Sequence, residues 1–165
     1  AMQGLVKEGL AYARSLDERS PAQAIELGPL LQAVAEDARD MGWVVRVPEG
    51  AQGRIVGNPS ALRRALWNLV ENGVKFGGEV ELALACAGEH CEIRVRDHGP
   101  GLAEDELEKV FEPFYRTEAS RNRETGGTGL GLAITRNLVH AQGGDIALRN
   151  HPEGGLEAVL RLRAQ

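Results

Sequence analysis

Two runs in the middle of the chain, EVELALAC (79–86) and CEIRVRD (91–97), alternate apolar and polar residues and are separated only by AGEH. Alternation with a period of two marks a strand that buries one face, and so short a link returns the chain antiparallel to itself. Any fold of this sequence must therefore contain an antiparallel pair. The segment just before it has the other period. Asn58-Pro59 is a helix start, an N-cap side chain followed by proline at the first helical position. Leu62, Leu66, Leu69 and Gly73 then recur at helical spacing, up to a stop at Gly77-Gly78.

The rest of the chain continues the mixture. Met2, Leu5, Val6, Leu10, Ala13 and Leu16 give residues 2–16 an amphipathic helical pattern, which DERSP breaks. A short strand around Ala24 to Leu27 precedes a helix from Pro29 to Asp40, and WVVRV and GRIVG read as a strand pair across the turn PEGAQ. A helix from Thr128 to Ala141 closes at Gln142-Gly143-Gly144, and DIALRN and LEAVLRLR follow as two strands joined by HPEGG. Helices and strands alternate too irregularly for a doubly wound parallel sheet. The expected fold is α+β, a two-layer sandwich with a mixed, mainly antiparallel sheet, about three helices on one face and a short N-terminal helix.

With 165 residues, 42% of them hydrophobic, the chain can bury one sizeable core and not two. A formal charge of -5 and a pI near 5.4 argue against nucleic acid or an anionic membrane as main partner, because counterion release needs clustered Lys and Arg. No apolar run approaches the roughly 20 residues that span a bilayer, so the chain as given is expected to be soluble. Cys86 and Cys91 flank the tight turn and can come close, but reduced cytoplasmic thiols are the expected state.

The stretch GGTGLGLAI, Gly126 to Ile134, raises the question of a phosphate site. A P-loop needs Lys and Ser or Thr after its last glycine, and Leu132-Ala133 stand there instead. A dinucleotide fingerprint starting at Gly129 would need its third glycine where Ile134 stands. What survives is common to both motifs: small residues let backbone N–H groups and the positive end of a helix approach an anion. A plain flexible helix entrance remains an equal alternative on this segment alone.

Three other features bear on the choice. Asn68, Glu71, Asn72 and Lys75 form one polar stripe beside the apolar stripe of their helix. A solvated face is the ordinary explanation, yet asparagine is a poor helix former, and amide oxygens suit magnesium shared with phosphates, which Lys75 would meet one turn later. Asp97 ends an alternating strand just before Gly99-Pro100-Gly101. It either caps that loop or accepts a hydrogen bond from the exocyclic amine of adenine, with the glycines letting the ring lie against the backbone. Phe111, Phe114 and Tyr115 sit in a long loop of a chain with few aromatic residues, which implies that the loop docks onto something, and Arg116 follows with a planar donor fork suited to phosphate.

In order and spacing, NLVENGVKF, DHGPG, FEPFYR and GGTGLGLAI resemble the N box, first glycine box, F box and second glycine box of sensor histidine kinases, over roughly residues 24–163. The resemblance implies the Bergerat ATP-binding sandwich shared with gyrase-type ATPases, with ATP and magnesium as ligands. It implies that Asn72 binds magnesium, Asp97 reads adenine beside Gly99 and Gly101, Lys75 contacts phosphate and Phe76 lies against the adenine ring. Phe114 of the F box joins the nucleotide site, and Gly127, Thr128, Gly129, Leu130, Gly131 and Leu132 surround the triphosphate. Residues 99–127 would form a mobile ATP lid, within a catalytic domain of residues 21–165.

Gyrase-type relatives carry a glutamate four residues before the magnesium asparagine, where it activates water. Here that position is Asn68, which cannot act as a base. The implied reaction is transfer of the γ-phosphate to a protein histidine with poor hydrolysis, and Asn68 and Arg116 are the residues expected to act at the phosphate being transferred. Two departures from the family pattern stand out: Leu156 replaces a common threonine, which puts a polar contact from that residue in doubt, and Asn58 replaces aspartate as helix cap.

The four histidines are followed by Cys91, Gly99, Ala141 and Pro152, so none sits in an acceptor motif of the form H-E-L-R-T-P, and His98 is expected to play only a local role. Residues 1–20 resemble the end of a dimerisation and phosphotransfer helix with its linker. The chain is thus expected to be a fragment, cut just after the acceptor helix, that binds Mg-ATP but does not label itself. Its expected partners are its own dimerisation domain and a response regulator, not nucleic acid. The full-length protein is expected to be a homodimer anchored in the bacterial inner membrane, with this domain cytoplasmic and, alone, mainly monomeric.

Overall fold

The computed structural model describes Leu10, residues 22–117 and residues 131–165. The expected N-terminal helix therefore lies outside the described residues apart from Leu10, which is helical. In chain order the elements are β1 (Gln23–Glu26), α1 (Leu27–Asp40), β2 (Val44–Arg46), β3 (Arg54–Gly57), α2 (Pro59–Gly77), β4 (Glu79–Ala87) and β5 (His90–Asp97). Two short 3-10 turns follow, at Glu104–Glu106 and Lys109–Phe111, then α3 (Gly131–His140), β6 (Asp145–Asn150) and β7 (Leu156–Arg163).

Helix α2 begins where its sequence says it should. The Asn58 side chain accepts a hydrogen bond from the Ala61 amide at 3.1 Å, with Pro59 in the first turn, so asparagine caps as the more usual aspartate would. It ends on Gly78, whose φ of 80° a residue with a side chain rarely adopts. Between those ends Leu62, Ala65, Leu66, Leu69 and Val70 are buried, and each large side chain contributes about 1.5–3 kcal/mol.

The main sheet has five strands in the order β2-β4-β5-β7-β6. Only the β2–β4 contact is parallel, with α2 in the crossover between them. The core-facing residues alternate along the strands: Val80 and Leu82, then Ile93 and Val95, then Ala158, Leu160 and Leu162. They pack against the apolar stripes of α1, α2 and α3, which is the expected α+β sandwich. The other face of the sheet carries ion pairs, among them Arg149 with the buried Glu157, Nε to Oε1 2.6 Å.

Two expectations fail. WVVRV and GRIVG do not pair: β2 lies beside β4, with Val45 opposite Val80, and β3 forms a separate two-stranded sheet with β1, Ile55 opposite Ile25. Strands this short turn a single large apolar residue inward, so their pattern fixes which face is buried but not which neighbour they take. Cys86 and Cys91 are bonded and not free thiols, with sulfurs 2.15 Å apart. The cause is register: the two-residue turn at Gly88-Glu89 sets them directly opposite, Cα to Cα 4.0 Å, and Gly53 lies against their sulfurs.

Two further contacts fix the helical layer. Trp43, after α1, stacks on Trp67 of α2 with ring centroids 5.2 Å apart. Arg39 of α1 donates from Nε and Nη2 to the Val45 carbonyl, at 3.1 and 2.9 Å, which ties that helix to β2 at the sheet edge.

Candidate nucleotide site

The site is organised by the end of β5. Strand alternation turns Asp97 toward the helices and His98 toward the opposite face. There His98 Nε2 meets Glu79 at 3.4 Å and Glu81 at 3.6 Å, which takes it away from the site as expected of a local residue. Asp97 is only 7% exposed and is held by backbone donors: the amides of Gly99, at 2.8 Å, and Leu156, at 3.0 Å, both donate to Oδ1. Hydrogen bonds to a carboxylate are worth about 1.5–3 kcal/mol each, enough to fix a buried acid in one rotamer.

Helix α2 lies directly against this carboxylate because two of its residues lack side chains. A methyl group on Gly73 would meet Val80 and approach the Asp97 Cβ to 3.5 Å, and one on Gly77 would come within 2.6 Å of the same Cβ and 2.8 Å of the Gly99 amide. Gly99 in turn packs on the Phe76 carbonyl, where an added Cβ would lie 2.7 Å away. Asn68, Asn72, Lys75 and Phe76 are all half-buried on this helix. The structure thus sets the Gly73 and Gly77 positions and the Phe76 carbonyl of α2 against the Asp97–Gly99 turn, with Asn68, Asn72 and Lys75 on the same helix. Gly73 and Gly77 were visible in the sequence, four apart on the packed stripe, but Gly77 reads there only as a helix stop.

The turn after Asp97 is gripped from its far side by the β6–β7 hairpin. Gly101, at φ 76°, lies so near the Asn150 side chain that a Cβ there would collide with its Oδ1. Asn150 spans the next residue, accepting from the Leu102 amide at 2.9 Å and donating to the Leu102 carbonyl at 2.7 Å. Gly155, at φ 88°, touches the Asp97 carbonyl so closely that no side chain fits. Leu156 does make a polar contact after all, through its main chain and not through the hydroxyl that threonine would offer. None of Asn150, Gly155 or Leu156 carries a local sequence signal for this contact, because the partners, at the end of β5 and in the turn after it, lie some fifty residues away in the chain.

The F-box segment divides. Val110 and Phe111 are buried in the core, Arg136 of α3 sits over the Phe111 ring with Cζ 5.0 Å from its centroid, and the same guanidinium bonds Glu108 at 2.6 Å. Tyr115 Oη donates to Glu106 at 2.9 Å. Phe114 is different: it is 61% exposed, and its φ of 66° is the single positive value outside glycine among the described residues. Arg116 is half-buried at the end of this segment.

Gly131 and Leu132 open α3, half-buried, with the Gly131 carbonyl taking a 2.9 Å bond from the Thr135 hydroxyl. The expected phosphate contacts at Gly127, Thr128, Gly129 and Leu130 lie outside the described residues.

This arrangement is a two-layer sandwich in which a helix carrying asparagines lies against the end of a central strand. Residues 57–165 match the family described as histidine kinase-, DNA gyrase B-, and HSP90-like ATPase, and the chain belongs to it. It is 38% identical over 158 residues to the sensor histidine kinase GtrS of Pseudomonas aeruginosa, covering 96% of this chain and 32% of that protein. It is also 38% identical over 136 residues to the sensor histidine kinase CpxA of Escherichia coli K12, covering 81% of this chain and 30% of that protein. The chain thus spans about a third of the length of these relatives.

Among solved structures, the ATP-binding domain of PrrB from Mycobacterium tuberculosis superposes with a TM-score of 0.73 at 31% identity, covering 88% of this chain and 99% of that one. Full-length ShkA in complex with AMPPNP superposes with a TM-score of 0.81 at 28% identity, covering 98% of this chain and 35% of that one. Among the described residues no helix is long and apolar enough to cross a membrane.

Proposed function

We propose that the chain is the catalytic domain of a two-component sensor kinase, and that it delivers the γ-phosphate of Mg-ATP to a histidine on a dimerisation domain outside this sequence. The observation that carries the reading is Asp97: one carboxylate oxygen is fixed by two backbone amides, which leaves Oδ2 to accept from the adenine amine. Phe76 and the glycines at 99 and 101 then flank the base.

Asn72 suits magnesium by the chemistry of its donor. Among the described residues no group of three or more His, Cys, Asp or Glu could cage a metal. A hard cation held by one amide oxygen, water and substrate phosphates is the arrangement magnesium accepts. The ion would neutralise charge on the triphosphate. Lys75 adds a second positive charge one turn on, Arg116 a bidentate donor toward the γ-phosphate, and the glycines of GGTGLGLAI the backbone amides of the lid hinge, with residues 99–127 as lid.

An imidazole nitrogen of the acceptor attacks the γ-phosphorus, the bond to the bridging oxygen breaks and ADP leaves. Asn68 stands where a water-activating carboxylate would be needed for hydrolysis, so transfer is favoured over water. The full-length protein is a membrane-anchored homodimer serving a response regulator, and the isolated domain is a monomer.

The test is a mixture of this chain, labelled Mg-ATP and a separately produced dimerisation domain bearing its histidine. Acid-labile label on that domain supports the kinase. Nucleotide binding without transfer supports a docking module, and rapid phosphate release without transfer supports an ATPase. Either outcome defeats the proposal, as does stable phosphohistidine formed by this chain alone for its fragment reading.

A further inference from the structure

The β6–β7 hairpin does more than close the sheet. Its two innermost residues are paired, Asn150 opposite Leu156, and each reaches across to one end of the turn that follows β5. Leu156 holds Asp97 at the start of that turn, and Asn150 holds Leu102 at its end, by two bonds to the same residue's amide and carbonyl. The hairpin tip is itself braced: the His151 amide donates to the Gly155 carbonyl at 2.9 Å, and Arg96 donates from Nε and Nη2 to the Gly154 carbonyl at 3.2 and 2.9 Å.

An asparagine amide that satisfies both main-chain groups of one residue acts as a strand would, but on a single residue. It specifies where Leu102 sits, and an isosteric carboxylate or aliphatic side chain would forfeit one or both bonds. Gly101 is the complement of this contact, since any side chain there would drive the amide away.

We infer that Asn150 is a positioning residue for nucleotide binding, clamping Leu102 so that the candidate adenine-reading turn from Asp97 ends at a fixed point. This rests on the reading of the site as an ATP site. The clamp acts through the backbone of Leu102 and touches no substrate.

The test compares the chain with its Asn150→Ala and Asn150→Ser variants. Without nucleotide, amide hydrogen exchange at Leu102 should rise about tenfold in Asn150→Ala, with the Leu66 and Val70 amides of α2 unchanged; serine, which can keep one bond, should fall between. Affinity for a fluorescent ATP analogue should weaken about tenfold in the same order. Gly101→Ala supplies an independent reading: its damage to binding should be smaller in the Asn150→Ala background than alone, because the clash with the Asn150 amide is gone there while the strain of φ 76° remains in both.

Unchanged exchange at Leu102 would overturn the clamp, and faster exchange with unaltered affinity would overturn its role in binding. Additive effects of Gly101→Ala and Asn150→Ala would refute the coupling. If the unsubstituted chain fails to bind the analogue, the ATP reading itself falls, and the exchange comparison still decides whether Asn150 clamps Leu102.

Discussion

The chain has two hairpins in one sheet, and they differ in what their tips do. The β4–β5 tip is closed on itself by a two-residue turn and by the Cys86–Cys91 bond, and it lies at the end of β5 remote from Asp97. The β6–β7 tip, from His151 to Gly155, is longer and held by main-chain bonds, and its flanks grip a neighbouring turn at Asp97 and Leu102. The first hairpin serves its own strands. The second is the mould in which the candidate adenine-reading turn is cast, so damage to the two should have different signatures.

The contrast can be broken by mutation. The largest effect is expected from Gly155→Ala, which must accommodate φ 88° and a methyl group in the place of the Asp97 carbonyl. About 2–4 kcal/mol of stability should be lost in urea unfolding, together with nucleotide binding. Asp97→Asn keeps an acceptor for the Gly99 and Leu156 amides but removes the charge offered to the base. Binding of an ATP analogue should weaken about 10- to 100-fold by titration, with much less change in the unfolding midpoint.

At the other hairpin, reducing the Cys86–Cys91 bond or replacing both residues by serine should cost about 2 kcal/mol by the chain-entropy argument for a loop this short. Thermal unfolding would show that loss, and analogue affinity should stay as it was. An affinity change would mean that the two tips are coupled through β5. The smallest effect sharpens the picture of the mould. Arg96→Ala removes two bonds to the Gly154 carbonyl and should cost about 1 kcal/mol, read by urea unfolding, with a two- to threefold weaker affinity.

What the sequence reveals divides along the same line. The β4–β5 hairpin, the cap at Asn58 and the polar stripe of α2 depend on residues near one another in the chain, and each was readable from spacing. Four boxes in order also carried the family. Contacts that depend on strands meeting from far apart were not: the partner of β3, the reach of Asn150 to Leu102 and the main-chain donor at Leu156 follow from sheet order, which no local period encodes. The disulfide is an intermediate case. The turn that sets Cys86 opposite Cys91 was legible, and the preference for free thiols came from a general expectation about compartment that register overrode.

The chain has two tryptophans, and both are in the Trp43–Trp67 stack, one on the segment entering β2 and the other on α2 immediately before Asn68. The domain therefore carries its own optical reporter. Displacement of α2 relative to the segment at Met41–Val44 alters the overlap of the two rings and hence their emission, so the helix that bears Asn72 and Lys75 can be followed by intrinsic fluorescence in the unlabelled protein.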